Sequence, residues 1–265
     1  PEQSDLALER KLEEKYGLTE ALIAVPAYEQ SSDQEVAFQA VDYILRVLKK
    51  NMVFGMTWGR AMHEFVEQLA KDERLRSLSF QNVKVVPFLG TPGAIQSDSW
   101  NTTTYSNTLA TKVGNLLHCA SYNLSAPMYV EGTKEKELIE SIDEIAKVLH
   151  MAETADIALI GIGSMQDDSS IIKAEIRTKE EYKELVRKGA VGEIVGRIYD
   201  KNGQTVDEYL KRKMVGISLD KIAKIPVRVG MSYGKDKIEA IKGAIAGGLV
   251  NVLVTDVPTA ELLLK

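Results

Sequence analysis

Disulfide and metal chemistry have little to work with in this chain of 265 residues, which holds one cysteine and three histidines. A lone thiol forms no intrachain disulfide. Cys119 lies in the apolar run Leu116–Ala120, where a buried structural role is expected in place of a nucleophile, and one cysteine fits a reducing cytoplasm. His63, His118 and His150 are widely spaced and belong to no HxxxH, HExxH or Cys/His cluster, so no metal site is expected. Long apolar runs are missing too. None approaches the ~20 residues needed to cross a bilayer, and the amino-terminal PEQSDLALERKLEEKYG has no signal-peptide core. Basic stripes are absent: 33 Lys and Arg stand against 38 Asp and Glu, a net charge of −5, which makes the segment by itself a poor holder of nucleic acid. No GxxxxGK[ST] phosphate loop occurs. These absences leave a soluble, cytoplasmic protein with no cofactor, whose partners are small molecules and other proteins.

What is present is a regular alternation of strands and helices. Asp5–Tyr16 reads as an amphipathic helix closed by Gly17, followed by strand Ala21–Val25, a helix from Asp33 as N-cap to Lys50, strand Met52–Met56, helix Gly59–Leu69 and strand Val83–Leu89. The polar loop Gly90–Asn107 is long for a connection, which marks functional or mobile segments. A helix to Val113, an apolar strand at Leu117–Ser121 and helical periodicity over Lys134–His150 come next. Strand Asp156–Ile160, a solvated helix Lys179–Lys188, strand Ile194–Tyr199 and the turn Asp200–Gly203 follow. The chain closes with strand Pro226–Met231, helix Asp236–Gly247, strand Val250–Thr255 and helix Thr259–Leu264. Near-continuous apolar strands alternating with helices predict an α/β fold, a mostly parallel sheet with helices on both faces. Pro and Gly punctuation leaves room for a small inserted subdomain at Asn123–His150 or Asp200–Ala223.

Ligands of such sheets bind outside the carboxyl ends of the strands, and four glycine-bearing segments fall there. They are Thr57-Trp58-Gly59-Arg60, Gly90-Thr91-Pro92-Gly93, Gly161-Ile162-Gly163-Ser164 and Gly230–Gly234 with the lysines after it. Glycine lets backbone N–H groups approach a phosphate, a helix N-terminus adds a positive field, and Lys235 or Lys237 supplies charge. The first segment reads equally as an ordinary strand-to-helix turn capped by Thr57. Glu193, after Gly189–Gly192, is either an acceptor for sugar hydroxyls or a surface glutamate at a strand start. Asn101 and Asn107 either read hydroxyls or cap turns. Trp58 either flanks a ligand or covers core, and Arg60 either reaches an anion or lies on the helix surface.

In these segments the chain resembles the effector-binding domain of the SorC family of bacterial regulators, which includes those of sorbitol, central glycolytic and deoxyribonucleoside genes. The resemblance is carried, in order, by DLALERKLEEKYGLTEALIAV, GMTWGRAM, VVPFLGTPGA, NTLATKVG, IALIGIGS, GAVGEIVGRIYDKNG, VGISLDKIAKIPVRVG and KIEAIKGAIAGGLVNVLVTDVPTAELLL, spanning nearly the whole chain. It implies a Rossmann-like sheet similar to sugar-phosphate isomerases and deaminases, one domain over 1–265. It implies binding of a phosphorylated sugar without turnover, self-association as dimer or tetramer, and DNA contact only through an amino-terminal helix-turn-helix outside this chain. The effector contacts it implies are Thr57, Trp58, Gly59, Arg60, Gly90, Thr91, Gly93, Glu193 and Lys237, to which the reading of the strand ends and the long loop adds Gly163 and Asn107. Members that bind a bisphosphate carry an arginine in the second loop, where this chain has Leu89–Gly93. A second phosphate would lack a charge-assisted partner, at a loss of roughly 1.5–3 kcal/mol, so a monophosphate is expected. The competing expectation is a sugar-phosphate isomerase or deaminase, with Glu193 and Lys237 as its acid/base pair.

Overall fold

The computed structural model describes residues 5–25, 31–92, 102–167, 169–173 and 175–265. Its strands are β1 (Glu20–Ala24), β2 (Val53–Met56), β3 (Lys84–Pro87), β4 (Ala120–Ser121), β5 (Ile157–Gly161), β6 (Gly163–Ser164), β7 (Ala190–Ile194), β8 (Arg197–Asp200), β9 (Val227–Met231) and β10 (Val252–Asp256). Seven of them form one sheet in the order β1-β10-β9-β5-β2-β3-β4. Every pairing in it is parallel. The expected α/β architecture is therefore present.

Alternate residues of each central strand enter different cores, as the twofold period of a strand requires. Ile157 and Leu159 of β5, with Val252 and Val254 of β10, join helices Ser32–Val47, Arg60–Lys71 and Ser106–Leu116 on one face. Ala158, Ile160 and Leu253 join helices Leu6–Tyr16, Lys179–Arg187, Ile238–Ala246 and Val257–Leu264 on the other. Both faces are covered, which explains why the strands read as apolar throughout. The β1 edge is closed by side chains: Glu13 Oε1 accepts from Ala21 N at 2.9 Å and Glu9 Oε1 from Ile23 N at 3.0 Å. Carboxylates there block further strand pairing.

The chain runs outward from β2 through β3 to β4, then returns to the other side of β2 and continues through β5, β9 and β10. The sheet thus reverses its winding between β2 and β5. A crevice opens at the carboxyl ends of strands at such a point.

Several element boundaries differ from expectation. Ile194–Tyr199 is not one strand. β7 and β8 form an antiparallel hairpin, with β6 as third strand, turning at Val195 and Gly196, both with positive φ (56° and 69°). Two left-handed residues suit a tight right-twisted hairpin, but valine hides the signal that Asn-Gly would give. The helix expected over Lys134–His150 is two, Thr133–Glu140 and Asp143–Glu153. Ser31, not Asp33, is the N-cap of the second helix, which stops at Val47. The strand expected at Leu117–Ser121 shrinks to β4, because His118 adopts a left-handed conformation (φ 52°) after the preceding helix. Residues 235–237 form a single 3₁₀ turn before helix Ile238–Ala246. Cys119 is half-buried, and burial pushes its thiol up to about 11, which keeps it protonated and unreactive at neutral pH. The two stretches considered as a subdomain meet in a small cluster of Leu124, Ala126, Val130, Ile145, Val148 and Val215.

Candidate functional site

β2 ends where the sheet reverses, and its last turn is tied to β5. Thr57 is buried, its N–H donates to Leu159 O at 3.1 Å, and its Oγ1 accepts from Gly161 N at 3.0 Å. Gly59 then takes φ 105°, a conformation that disfavours a side chain, and begins helix Arg60–Lys71. Its N-cap, Gly59, has no side chain with which to cap it, and no acidic residue sits in its first turn. Its first N–H groups lack helical partners and carry the positive end of the dipole. Gly59 N itself donates to Thr104 O at 3.0 Å, which brings the start of helix Ser106–Leu116 beside the turn. Ser106 there is buried and its hydroxyl has no hydrogen-bond partner among the described residues. Sequence reasoning passed over it, since a serine beginning a helix ordinarily reads as a cap.

Glu193 is the most unusual side chain in the crevice. It is buried, projecting from β7, and β6 pairs Gly163 directly with it. A Cβ at Gly163 would lie 2.8 Å from Glu193 Oε2, so only glycine lets the carboxylate sit there. Its Oε1 accepts from Gly196 N across the hairpin turn, and the Trp58 side chain lies near enough to act on the same carboxylate. Burial pushes the Glu193 carboxyl up to about 7, against the downward pull of the Gly196 N–H, the Lys237 ammonium and the Trp58 side chain. Tyr182 and Tyr199 flank it, and desolvation together with the Glu193 charge raises both phenols. Glu193 is thus no surface residue, and Trp58 covers core while linking the Thr57–Arg60 turn to the surroundings of the carboxylate.

Lys237 approaches from the end of β9. Its Nζ donates to Ser164 Oγ at 3.0 Å, and that hydroxyl donates to Asp236 Oδ2 at 2.9 Å. Ser164 and Asp236 were not singled out as contacts from sequence. Arg60 is exposed and lies close enough to Tyr233 for its charge to act on that phenol.

The second loop behaves differently. Gly90 N donates to Val215 O and Thr91 N to Ala126 O, at 3.0 and 2.9 Å, so neither N–H is available to a phosphate. Gly90 is glycine because a Cβ would lie 2.5 Å from Ala126 O. Close backbone packing, not ligand approach, requires it. The Asn107 amide is equally committed: Nδ2 donates to Thr91 Oγ1 at 2.8 Å and Leu124 O at 3.0 Å, and Oδ1 accepts from Leu124 N at 2.9 Å. It fixes the loop that carries Thr91. Gly93 and Asn101 lie outside the described residues.

Thr57, Trp58, Gly59, Gly163, Glu193 and Lys237 therefore gather at the carboxyl ends of β2, β5 and β9, whereas Gly90 and Asn107 are bonded to the neighbouring backbone at Val215 and Leu124. This gathering presents donors suited to an anion next to a carboxylate suited to hydroxyls.

Comparison with known proteins identifies the family. Residues 2–265 match the Sugar-bind family, described as "Putative sugar-binding domain". The chain is 30% identical to the sorbitol operon regulator of Klebsiella pneumoniae over 98% of its own length and 81% of that protein. It is 26% identical to the deoxyribonucleoside regulator of Bacillus subtilis, over 98% of this chain and 80% of that one. The crystal structure of the full-length sorbitol operon regulator SorC from Klebsiella pneumoniae superposes with a TM-score of 0.86 at 29% identity, covering 98% of this chain and 81% of that chain. The chain belongs to the sugar-binding domain family of SorC-type regulators.

Proposed function

We propose that this chain is the ligand-sensing domain of a transcriptional regulator, that its effector is a phosphorylated sugar, and that it performs no turnover. The observation that carries the reading is the buried Glu193 carboxylate, seated against Gly163 at the same sheet edge as the glycine turn that opens helix Arg60–Lys71. The turn at Thr57–Arg60 takes the phosphate, with Lys237 as its cation, and Glu193 accepts hydrogen bonds from the sugar hydroxyls. The Ser106 hydroxyl, buried without a partner, is a further donor to the same ligand. One phosphate fits better than two, because Leu89–Pro92 offers no cation and its N–H groups at Gly90 and Thr91 are bonded within the protein.

In the whole regulator, ligand binding shifts the populations of two arrangements of paired sensor domains and so changes operator affinity. Coupling of about 1–3 kcal/mol suffices for a useful switch. The names of the relatives, regulators of a sorbitol operon and of deoxyribonucleosides, favour sensing over catalysis. DNA contact belongs to a separate domain, in keeping with the acidic charge of this one. Self-association into dimers or tetramers and a cytoplasmic setting are part of the same proposal.

A thermal-shift panel of sugars and sugar phosphates tests it. A ligand at a hundred times its Kd adds about 2.7 kcal/mol of stability, which stands out clearly on such a panel. Stabilisation by one or a few sugar monophosphates is expected; a flat panel, or product formed from any of them at a catalytic rate, contradicts the proposal.

A further inference from the structure

Lys237 already has partners within the protein. Its Nζ donates to Ser164 Oγ at 3.0 Å, the same hydroxyl donates to Asp236 Oδ2 at 2.9 Å, and ammonium and carboxylate stand 3.7 Å apart. Ser164 is buried, whereas the Asp236 and Lys237 side chains are 43% and 26% exposed. A hydroxyl fixed in the wall therefore holds both members of an ion pair at the rim. Asp236 is able to fold back because Gly234 precedes it: at φ +110°, a Cβ there would lie 2.8 Å from Asp236 Oδ1. Lys237 also acts electrostatically on Glu193, so the ammonium has a second acidic neighbour beside Asp236. For a lysine that receives a phosphate this is a costly arrangement, since a neighbouring carboxylate repels the incoming anion.

The geometry points to Asp236 as an internal counter-ligand that, with Ser164, occupies the contacts Lys237 gives to a phosphate. An arriving anion must turn Asp236 out toward water, which its exposure permits. Bare phosphate bears the whole cost of that displacement and so binds weakly. A ligand that also offers hydroxyls to Glu193 gains a second set of hydrogen bonds, so Asp236 makes the site select phosphorylated polyols against free phosphate. This rests on the reading of Lys237 as the cation of the phosphate site.

The test is titration of the whole chain with inorganic phosphate, for the wild type, Asp236→Asn, Asp236→Ala and Lys237→Ala. About tenfold tighter phosphate binding is expected in both Asp236 variants, the scale of removing one nearby charge from a partly solvated site. Loss of binding is expected in Lys237→Ala. Unchanged or weaker binding in both Asp236 variants, with Lys237→Ala still losing phosphate, overturns the counter-ligand and leaves the phosphate seat standing. Unchanged binding in Lys237→Ala removes the seat itself, and the inference with it.

Discussion

Gly163 and Glu193 face each other across β6 and β7, and the carboxylate Oε2 lies 2.8 Å from where a Gly163 Cβ would stand. One methyl group there must displace the carboxylate. Gly163→Ala is expected to cost about 1–3 kcal/mol of stability, the usual range for overpacking a tight site, and to weaken effector binding at least tenfold. Urea unfolding and calorimetric titration of the same sample measure both. An alanine variant that keeps wild-type affinity contradicts the placement of Glu193 in the site.

The raised carboxyl of Glu193 gives a pH signature. Its value in the folded chain is about 7 against an ordinary 4.5, so between those pH values the folded state holds a proton that the unfolded chain has released. Stability from this group is fully present below pH 4.5 and is lost as pH rises through 7. Glu193→Gln removes the titration. Relative to the wild type, the glutamine variant should gain stability between pH 4.5 and 7, by about 3 kcal/mol in all, as seen by urea unfolding across that range. Parallel pH profiles of the two proteins would show that burial does not act on Glu193 as described.

Asn107 and Arg197 supply the rigidity behind the crevice. Asn107→Ala removes three hydrogen bonds at once and is expected to destabilise by about 1–3 kcal/mol, with effector binding changed only through the looser Thr91 loop. A stability-neutral variant that abolishes binding would move Asn107 into direct contact with the ligand.

Arg197 is buried and donates to the carbonyls of Lys211, Met214 and Gly216, at 2.9, 3.2 and 3.0 Å. Desolvation pulls its guanidinium down to about 10, so it stays charged at neutral pH. Arg197→Met should destabilise by about 3–5 kcal/mol, because those buried carbonyls lose their donor, and urea unfolding measures the loss. A change below 1 kcal/mol would mean that the segment holds its place without it.

Much of this was legible in the sequence where local signals agree with the final packing. The helix Leu6–Tyr16 carries an Asp5 cap and a left-handed Gly17, and the apolar strands match a sheet covered on both faces. The glycine turn at Gly59 is legible from its place after an apolar strand, whereas the burial of Glu193 is not legible from composition. The hairpin of β7 and β8 was not, because its turn places Val195 in a conformation that valine rarely adopts. Gly90 misled for a different reason: a glycine that admits a neighbouring backbone looks, in sequence, like one that admits a phosphate. Ser164 and Asp236 were invisible as a pair because 72 residues separate them and only the alignment of β5, β6 and β9 brings them together.

In the intact regulator, Thr57→Ala and Glu193→Gln should abolish the response of operator binding to the effector while leaving basal operator binding unchanged. Gel shifts with and without effector read this directly. Loss of basal binding in both variants would place these residues in assembly, not in sensing.

The most direct measurement is calorimetric titration of the chain with one sugar and its monophosphate, chosen from the thermal-shift panel, for the wild type and Lys237→Ala. The account predicts that the phosphorylated form binds at least a hundredfold more tightly than its parent, the combined scale of several charge-assisted hydrogen bonds, and that Lys237→Ala loses most of that difference. Equal affinity for the sugar and its phosphate would contradict it.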